Sequence, residues 1–261
     1  MPYAHTPDAR LYYEEQGQGP TILLLHNATG STRDWRRVAP LLAAGGYRVI
    51  AYDRRGFGRS DPLPQPDWPL DYLHGSRDEL LAFMDSLELE RVILIGNSDG
   101  ATIALLAAAA QPDRVQAVVA ESPHMWYVQE TLLPAFNAFE ETLGSDPRFW
   151  RAMERSHGDR AQEVVRRWRR RWTDPAFFAW SERDALSRVV CPVLAIHGKQ
   201  DPFFPLAHSQ EIVDLLPNAR LVIFEESGHT PHLEIANGYA QTVLNFLANL
   251  KTQEFPTPKI P

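Results

Sequence analysis

Six short runs rich in β-branched and aliphatic residues recur along the chain, at residues 21–26, 48–52, 92–96, 115–120, 193–197 and 221–224. They are apolar on both faces, as expected of strands in a parallel sheet covered by helices on either side. Between most of them lie segments of helical length, such as 70–87 and 101–111. Strand–helix alternation of this kind predicts an α/β fold with a mostly parallel, doubly wound sheet. An earlier run, 10–15, reads as an antiparallel lead-in strand closed by Gly17 and Gly19.

The rhythm breaks once. From residue 123 to about 187 no strand-like run appears, while Trp126, Tyr127, Phe149, Trp150, Trp168, Trp172, Phe177, Phe178 and Trp180 accumulate among helical stretches. A helical insertion between two sheet strands predicts a cap over the carboxyl edge of the sheet, where open α/β sheets bind ligands. The expected organisation is a core of residues 1–122 and 188–251, a helical cap of 123–187, and a tail of 252–261. The Pro-rich stretch 61–69 reads as a stiff loop.

Composition narrows the partners. At 261 residues and 44% hydrophobic, the chain can bury a substantial core. A formal charge of −7 offers no basic excess for a nucleic-acid backbone. Cys191 is the single cysteine, which excludes an intrachain disulfide and fits a reducing compartment. No secretory pattern marks the N-terminus, and the longest apolar stretch, around 101–110, falls short of the roughly 20 residues of a membrane span. A cytoplasmic protein without a membrane span is expected; the oligomeric state is left open.

The chemistry concentrates at Gly96-Asn97-Ser98-Asp99-Gly100, between a strand and a helix. Gly-x-Ser-x-Gly in that context is a nucleophile elbow, whose glycines permit a sharp turn that presents Ser98 to the cleft. A serine needs a base, and the base an orienting carboxylate. His229 follows the last strand beside Gly228, which frees the backbone there; His232 is its rival. Asp201 follows the strand 193–197, with Glu121 as an alternative acid. Oxyanion donors are expected at the backbone N–H of Asp99 and of Ala28, with Asn27 as the alternative to Ala28, in the loop after the first parallel strand. Asn27, Asp99, His124, Trp126 and Trp150 are the expected substrate-binding residues. No cluster has metal-ligand spacing, and no cofactor is implied.

From about Leu11 to Leu250 the chain resembles the α/β-hydrolase superfamily, and within it the esterase and valacyclovirase-like branch. The resemblance rests on the elbow, on Asp53-Arg54-Arg55-Gly56-Phe57-Gly58-Arg59-Ser60, and on the ending Gly228-His229-Thr230-Pro231-His232-Leu233-Glu234. Ser98 stands where the haloalkane dehalogenase and epoxide hydrolase branches carry Asp. Two departures stand out: Asn27 replaces the usual glycine after the histidine, which asks it for a glycine-like backbone, and Ala101 replaces a frequent second glycine after the elbow.

The reaction this predicts is cofactor-free hydrolysis of a small-molecule carboxylic ester through an acyl-enzyme. Alternatives on the same machinery are C–C bond hydrolysis, lactone hydrolysis and amino-acid ester hydrolysis, the last with Asp99 facing an α-ammonium group. A receptor that binds without turnover is the alternative outside enzymes. Two further features have ordinary expectations. The arginines of 166–171 are expected to be solvated around an apolar face of Val164, Trp168 and Trp172, and Cys191 to be a buried hydrophobe.

Overall fold

The computed structural model of the chain describes residues 2–252. The expected tail therefore lies, from residue 253 onward, outside the described residues. Eight strands form one sheet: β1 Tyr3–His5, β2 Arg10–Gln16, β3 Thr21–Leu25, β4 Arg48–Tyr52, β5 Val92–Asn97, β6 Val115–Glu121, β7 Val193–Gly198 and β8 Ala219–Phe224. Their order is β1-β2-β4-β3-β5-β6-β7-β8. β1 and β2 are antiparallel to each other and β2 to β4; from β4 onward every pairing is parallel. The six runs read from the sequence are the parallel strands β3–β8.

Each central strand serves two cores because its side chains alternate between faces. Leu23 and Leu25 of β3 point into one apolar cluster, with Tyr52, Leu94 and Val118. Ile22 and Leu24 point into the other, with Val49, Ile93, Ile95 and Ile196. Helices α1 (Ala39–Ala44) and α10 (Ala236–Thr252) cover the second cluster; α2 (Tyr72–Ser86) and α3 (Asp99–Ala110) cover the first. α3, rich in alanine, is buried along almost its whole length, and small side chains let it lie close to β5 and β6.

Between β6 and β7 the chain is helical: α4 (Gln129–Glu141), α5 (Pro147–His157), α6 (Ala161–Trp172) and α7 (Arg183–Leu186). Here the arginine run departs from expectation in part: Arg166 and Arg170 stay exposed, but Arg167 is buried and Arg171 nearly so. Arg166 donates to the Asp67 carboxylate and the Pro66 carbonyl, Arg167 to the Pro66 and Gln65 carbonyls, and Arg171 to the Trp68 carbonyl. Arg170 pairs with Asp67 at 2.8 Å. The run is a clasp that fastens α6 to the Pro-rich loop, whose carbonyls lack a strand partner and accept the guanidinium donors instead. Helices α8 (Leu206–Leu215) and α9 (Pro231–Glu234) complete the chain around β8. Among the described residues no helix is long and apolar enough to cross a membrane.

Candidate active site

β5 delivers Ser98 at its carboxyl end. The serine has φ 55° and ψ −119°, a left-handed conformation that costs a side-chain-bearing residue on the order of 1–3 kcal/mol. Its surroundings hold it there. The Ser98 N–H donates to the Glu121 carbonyl at 2.8 Å, and its own carbonyl accepts from Ala101 and Thr102 as α3 begins. A β-carbon on Gly96 would strike the Gly100 backbone, and one on Gly100 would strike the Leu25 carbonyl, so the turn requires both glycines. The first two amides of α3, Asp99 and Gly100, have no carbonyl one turn back to donate to, and they lie directly after the serine.

Asp201, beyond β7, accepts Phe203 and Phe204 N–H groups on Oδ1 and the His229 Nδ1 proton on Oδ2, the last at 2.7 Å. It is a turn residue before Pro202 and the partner of His229 at once. Burial pushes its carboxyl upward, but the imidazole and the amide donors outweigh that and hold it below the usual carboxylate range. For His229, burial opposes the charged ring; the Asp201 charge and hydrogen bond overcome it and raise the pKa above its ordinary value. The His229 carbonyl is fixed by Asn97 Nδ2 and Ser122 Oγ, each at 3.0 Å.

The rival residues pair elsewhere. His232 N–H and Nδ1 both lie 2.9 Å from Glu121 Oε1, and the His232 ring stacks on Trp35. Both members of that pair are buried away from the cleft. Gly228 does not use a left-handed backbone, contrary to the freedom ascribed to it; its N–H is bound by the Glu234 carboxylate at 2.7 Å. Gly198 is the glycine that matters, since a β-carbon there would meet the Gly228 carbonyl.

Ser98 and His229 line one cavity of about 380 Å³, together with Asn27, Ala28, Asp99 and His124. This is the size range of small-molecule sites. Its walls are Leu132, Phe136 and Phe139 of α4, Phe149 of α5, Trp168 and Trp172 of α6, and Phe203 and Phe204 beside Asp201. Most of these walls were not singled out in the sequence. The apolar face of α6 and the Phe-Phe pair that comes soon after Asp201 were the signals available.

Two expected wall residues lie elsewhere. Trp126 bridges to Ser181, packs on His208 at 4.2 Å and lies beneath the Arg183 guanidinium at 3.6 Å. Trp150 donates Nε1 to the Gly144 carbonyl and sits in an outer groove with Arg166 and Arg170. One residue along a helix turns the side chain by about 100°, so Phe149 takes the inward position instead.

Asn27 also corrects an expectation. Its φ is not positive; among the described non-glycine residues only Glu88, Ser98 and Ser122 have that conformation. Its side chain is used instead, donating to Asn97 Oδ1 at 3.0 Å and accepting the Thr29 N–H at 2.9 Å. His26 Nε2 accepts the Arg54 N–H and Nδ1 faces the Asn27 carbonyl, a neutral ring whose pKa burial drives well below its ordinary value.

Asp99 is fully buried. Tyr72 OH donates to it at 3.0 Å, Arg54 Nη2 stands 4.0 Å away and His124 Nε2 3.4 Å away. Trp172 Nε1 in turn donates to Tyr72 OH.

The family model for the alpha/beta hydrolase fold matches residues 20–235. The chain belongs to the α/β-hydrolase family. It is 28% identical over 246 residues to the serine hydrolase BPHL of Homo sapiens, covering 91% of this chain and 83% of that one. It is 27% identical to the 2-hydroxy-6-oxo-6-phenylhexa-2,4-dienoate hydrolase of Burkholderia cepacia, covering 92% of each. In structure it resembles the enol-lactonase of Burkholderia xenovorans LB400, with a TM-score of 0.77 at 23% identity over 95% of this chain and all of that one. This α/β hydrolase therefore has relatives named for different hydrolytic substrates, and the choice among them falls to the cavity.

Proposed function

We propose that the protein is a cofactor-independent serine hydrolase of carboxylic esters, working through an acyl-enzyme. The observation that carries the reading is the 2.7 Å hydrogen bond from buried Asp201 to His229, which lines the cavity together with Ser98 on its strained elbow. His229 takes the Ser98 proton as Oγ attacks the ester carbonyl, and Asp201 holds the ring and stabilises its charged form. The Asp99 and Ala28 amides receive the oxyanion. His229 then protonates the departing alkoxide and activates the water that releases the acid.

Charge favours an ester over the C–C substrates of relatives named as dienoate and dienedioate hydrolases, which are carboxylates. No Arg or Lys lines the cavity among the described residues, whereas Asp99 and Glu234 do. A free carboxylate on the acyl part would find no lining cation to pair with. The aromatic walls instead suit a neutral, bulky apolar acyl group. In this reading residues 123–187 act as the cap that sets its size.

The test is turnover of a p-nitrophenyl ester with an aromatic acyl group, set against Ser98→Ala and against a phenyl-substituted dienoate. Wild type should show a burst of p-nitrophenol, Ser98→Ala should lose several orders of magnitude in rate while staying folded, and the dienoate should turn over poorly. Ligand binding without turnover would sink the enzymatic reading in favour of a receptor. Dienoate cleavage faster than any ester would sink the ester assignment while keeping the nucleophile.

A further inference from the structure

α5 ends in a histidine that does not line the cavity itself yet reaches the loop that does. His157 is buried; its Nδ1 accepts the Gly58 N–H at 2.9 Å and its Nε2 lies 2.9 Å from the Thr29 carbonyl. Only one protonation state satisfies both contacts. Nδ1 must be bare to accept, so the proton sits on Nε2 and is donated to Thr29. Burial favours the uncharged ring and lowers its pKa to about 4, so the neutral form holds at ordinary pH. Arg160, three residues on, strengthens the joint by donating to the Gly58 carbonyl at 2.6 Å and the Ser60 carbonyl at 3.0 Å.

Thr29 directly follows Ala28, and its own N–H is taken by the Asn27 side chain. The loop 27–30 is thus gripped from the core by Asn97 through Asn27, and from the insertion by His157. We propose that His157 is a positioning residue that ties the seating of α5 to the geometry of the Ala28 oxyanion loop. The insertion then does more than roof the cavity: its docking completes the site that receives developing charge. Misplacement of a catalytic group by about 1 Å can cost on the order of 100-fold in rate, so the strap should act on kcat rather than on KM. The proposal rests on the ester-hydrolase reading for its kinetic part only.

Two substitutions separate the contacts. In His157→Gln the amide nitrogen stands near the position of Nε2 and can still donate to Thr29. In His157→Asn the polar group stands near Nδ1, keeping Gly58 and losing Thr29. Each variant is assayed for kcat and KM on a p-nitrophenyl ester, for inhibition by phenylboronic acid as a tetrahedral mimic, for melting temperature, and for amide exchange in a peptide spanning 26–32. His157→Asn should lose about ten- to a hundred-fold in kcat with KM within about two-fold, weaken phenylboronic acid in parallel, and speed exchange in 26–32. His157→Gln should restore most of kcat and slow exchange. Equal losses in both variants, tracking their melting temperatures, would make His157 a packing residue and overturn the proposal. Wild-type kcat and exchange in a folded His157→Asn would overturn it too. Exchange reads the strap without reference to chemistry, so a Ser98→Ala protein that kept its activity would sink the ester reading and leave this result to stand or fall alone.

Discussion

Asp99→Asn isolates one charge in a wall where the partners are known. The substitution keeps an oxygen for Tyr72 OH, 3.0 Å away, and changes little in volume. It removes the negative charge 4.0 Å from the Arg54 guanidinium, with both side chains almost wholly buried. Breaking a buried ion pair by deleting one partner costs about 3–5 kcal/mol when the geometry is good. At 4.0 Å this pair is long, so about 2 kcal/mol is the better expectation. The Tyr72 bond falls from charge-assisted to neutral, which removes about 1 kcal/mol more. A total near 3 kcal/mol corresponds to a fall in melting temperature of about 6–12 °C for a chain of this size. Calorimetry or urea melts of Asp99→Asn, Arg54→Met and the double variant would measure it, with a coupling of at least about 1 kcal/mol expected in the cycle. The same wall bears on substrates. Because Arg54 and Tyr72 already face the carboxylate, an aminoacyl ester and its des-amino analogue should differ in kcat/KM by less than about three-fold. An unchanged melting temperature with additive variants would refute the energetics. A large amino-ester preference that vanishes in Asp99→Asn would make Asp99 a substrate anchor and refute the account altogether.

Since His229 must be neutral to accept the Ser98 proton and Asp201 raises its pKa above the ordinary value, kcat/KM should fall as pH drops through a point above about 6.5. Asp201→Asn removes the raising charge, so this limb should move to lower pH while the rate drops by about four orders of magnitude; a limb that stays in place would dissociate it from His229. Trimming the wall residues Phe149 or Trp168 to Ala should widen acyl preference toward bulkier esters, whereas Trp126→Ala and Trp150→Ala should lower stability and leave preference alone; the reverse pattern in an acyl-length series would relocate the pocket. Burial raises the Cys191 thiol to about 12, so Ellman's reagent should label it only in denaturant, and rapid labelling of native protein would show that the site opens.

The parallel strands β3–β7 were legible because burial gives each of them apolar residues on both faces, whereas the edge strand β8, only partly buried, was read from its short aliphatic run alone. Ser98, Asp201 and His229 were legible as candidates for a different reason: each lies just past a strand end, at the sheet edge where this fold gathers its chemistry in a fixed chain order. β1 was not, since Tyr3–His5 is too short to show a period, and it forms by pairing with β2. The orientation of insertion side chains was not legible either. Trp150 and Phe149 are adjacent in sequence and both aromatic, and only the docking of α5 decides which one faces the cavity. Asn27 misled for a related reason. A substitution at a glycine position suggested an unusual backbone, but the structure uses the amide side chain to join Asn97 and Thr29, and Asn97 lies 70 positions away. The arginine clasp is the same kind of case, since most of its acceptors are backbone carbonyls and these carry no side-chain signature.

Three buried carboxylates near the elbow each have an imidazole neighbour, yet they are not equivalent. Glu121 holds His232 through both its N–H and Nδ1, and that ring is sealed against Trp35, so the pair pegs the loop to the end of β6 and has no route to substrate. Asp99 lies 3.4 Å from His124, but its hydrogen bond comes from Tyr72 and its countercharge from Arg54, while His124 stacks on Phe204. Burial lowers the His124 pKa, and Asp99 does not offset it. At His229 the balance reverses. Its Nδ1 is bonded to an acid that is itself fixed by two backbone amides, and its side chain remains partly exposed at the cavity. Asp201 therefore both orients the ring and raises its basicity, and Nε2 is the nitrogen left to act. In the proposed mechanism, that combination separates the base from two other pairs built of the same residue types. The peg bears on the same proposal, because Glu121–His232 and the Asn97 and Ser122 bonds to the His229 carbonyl fix the loop that carries the proposed base.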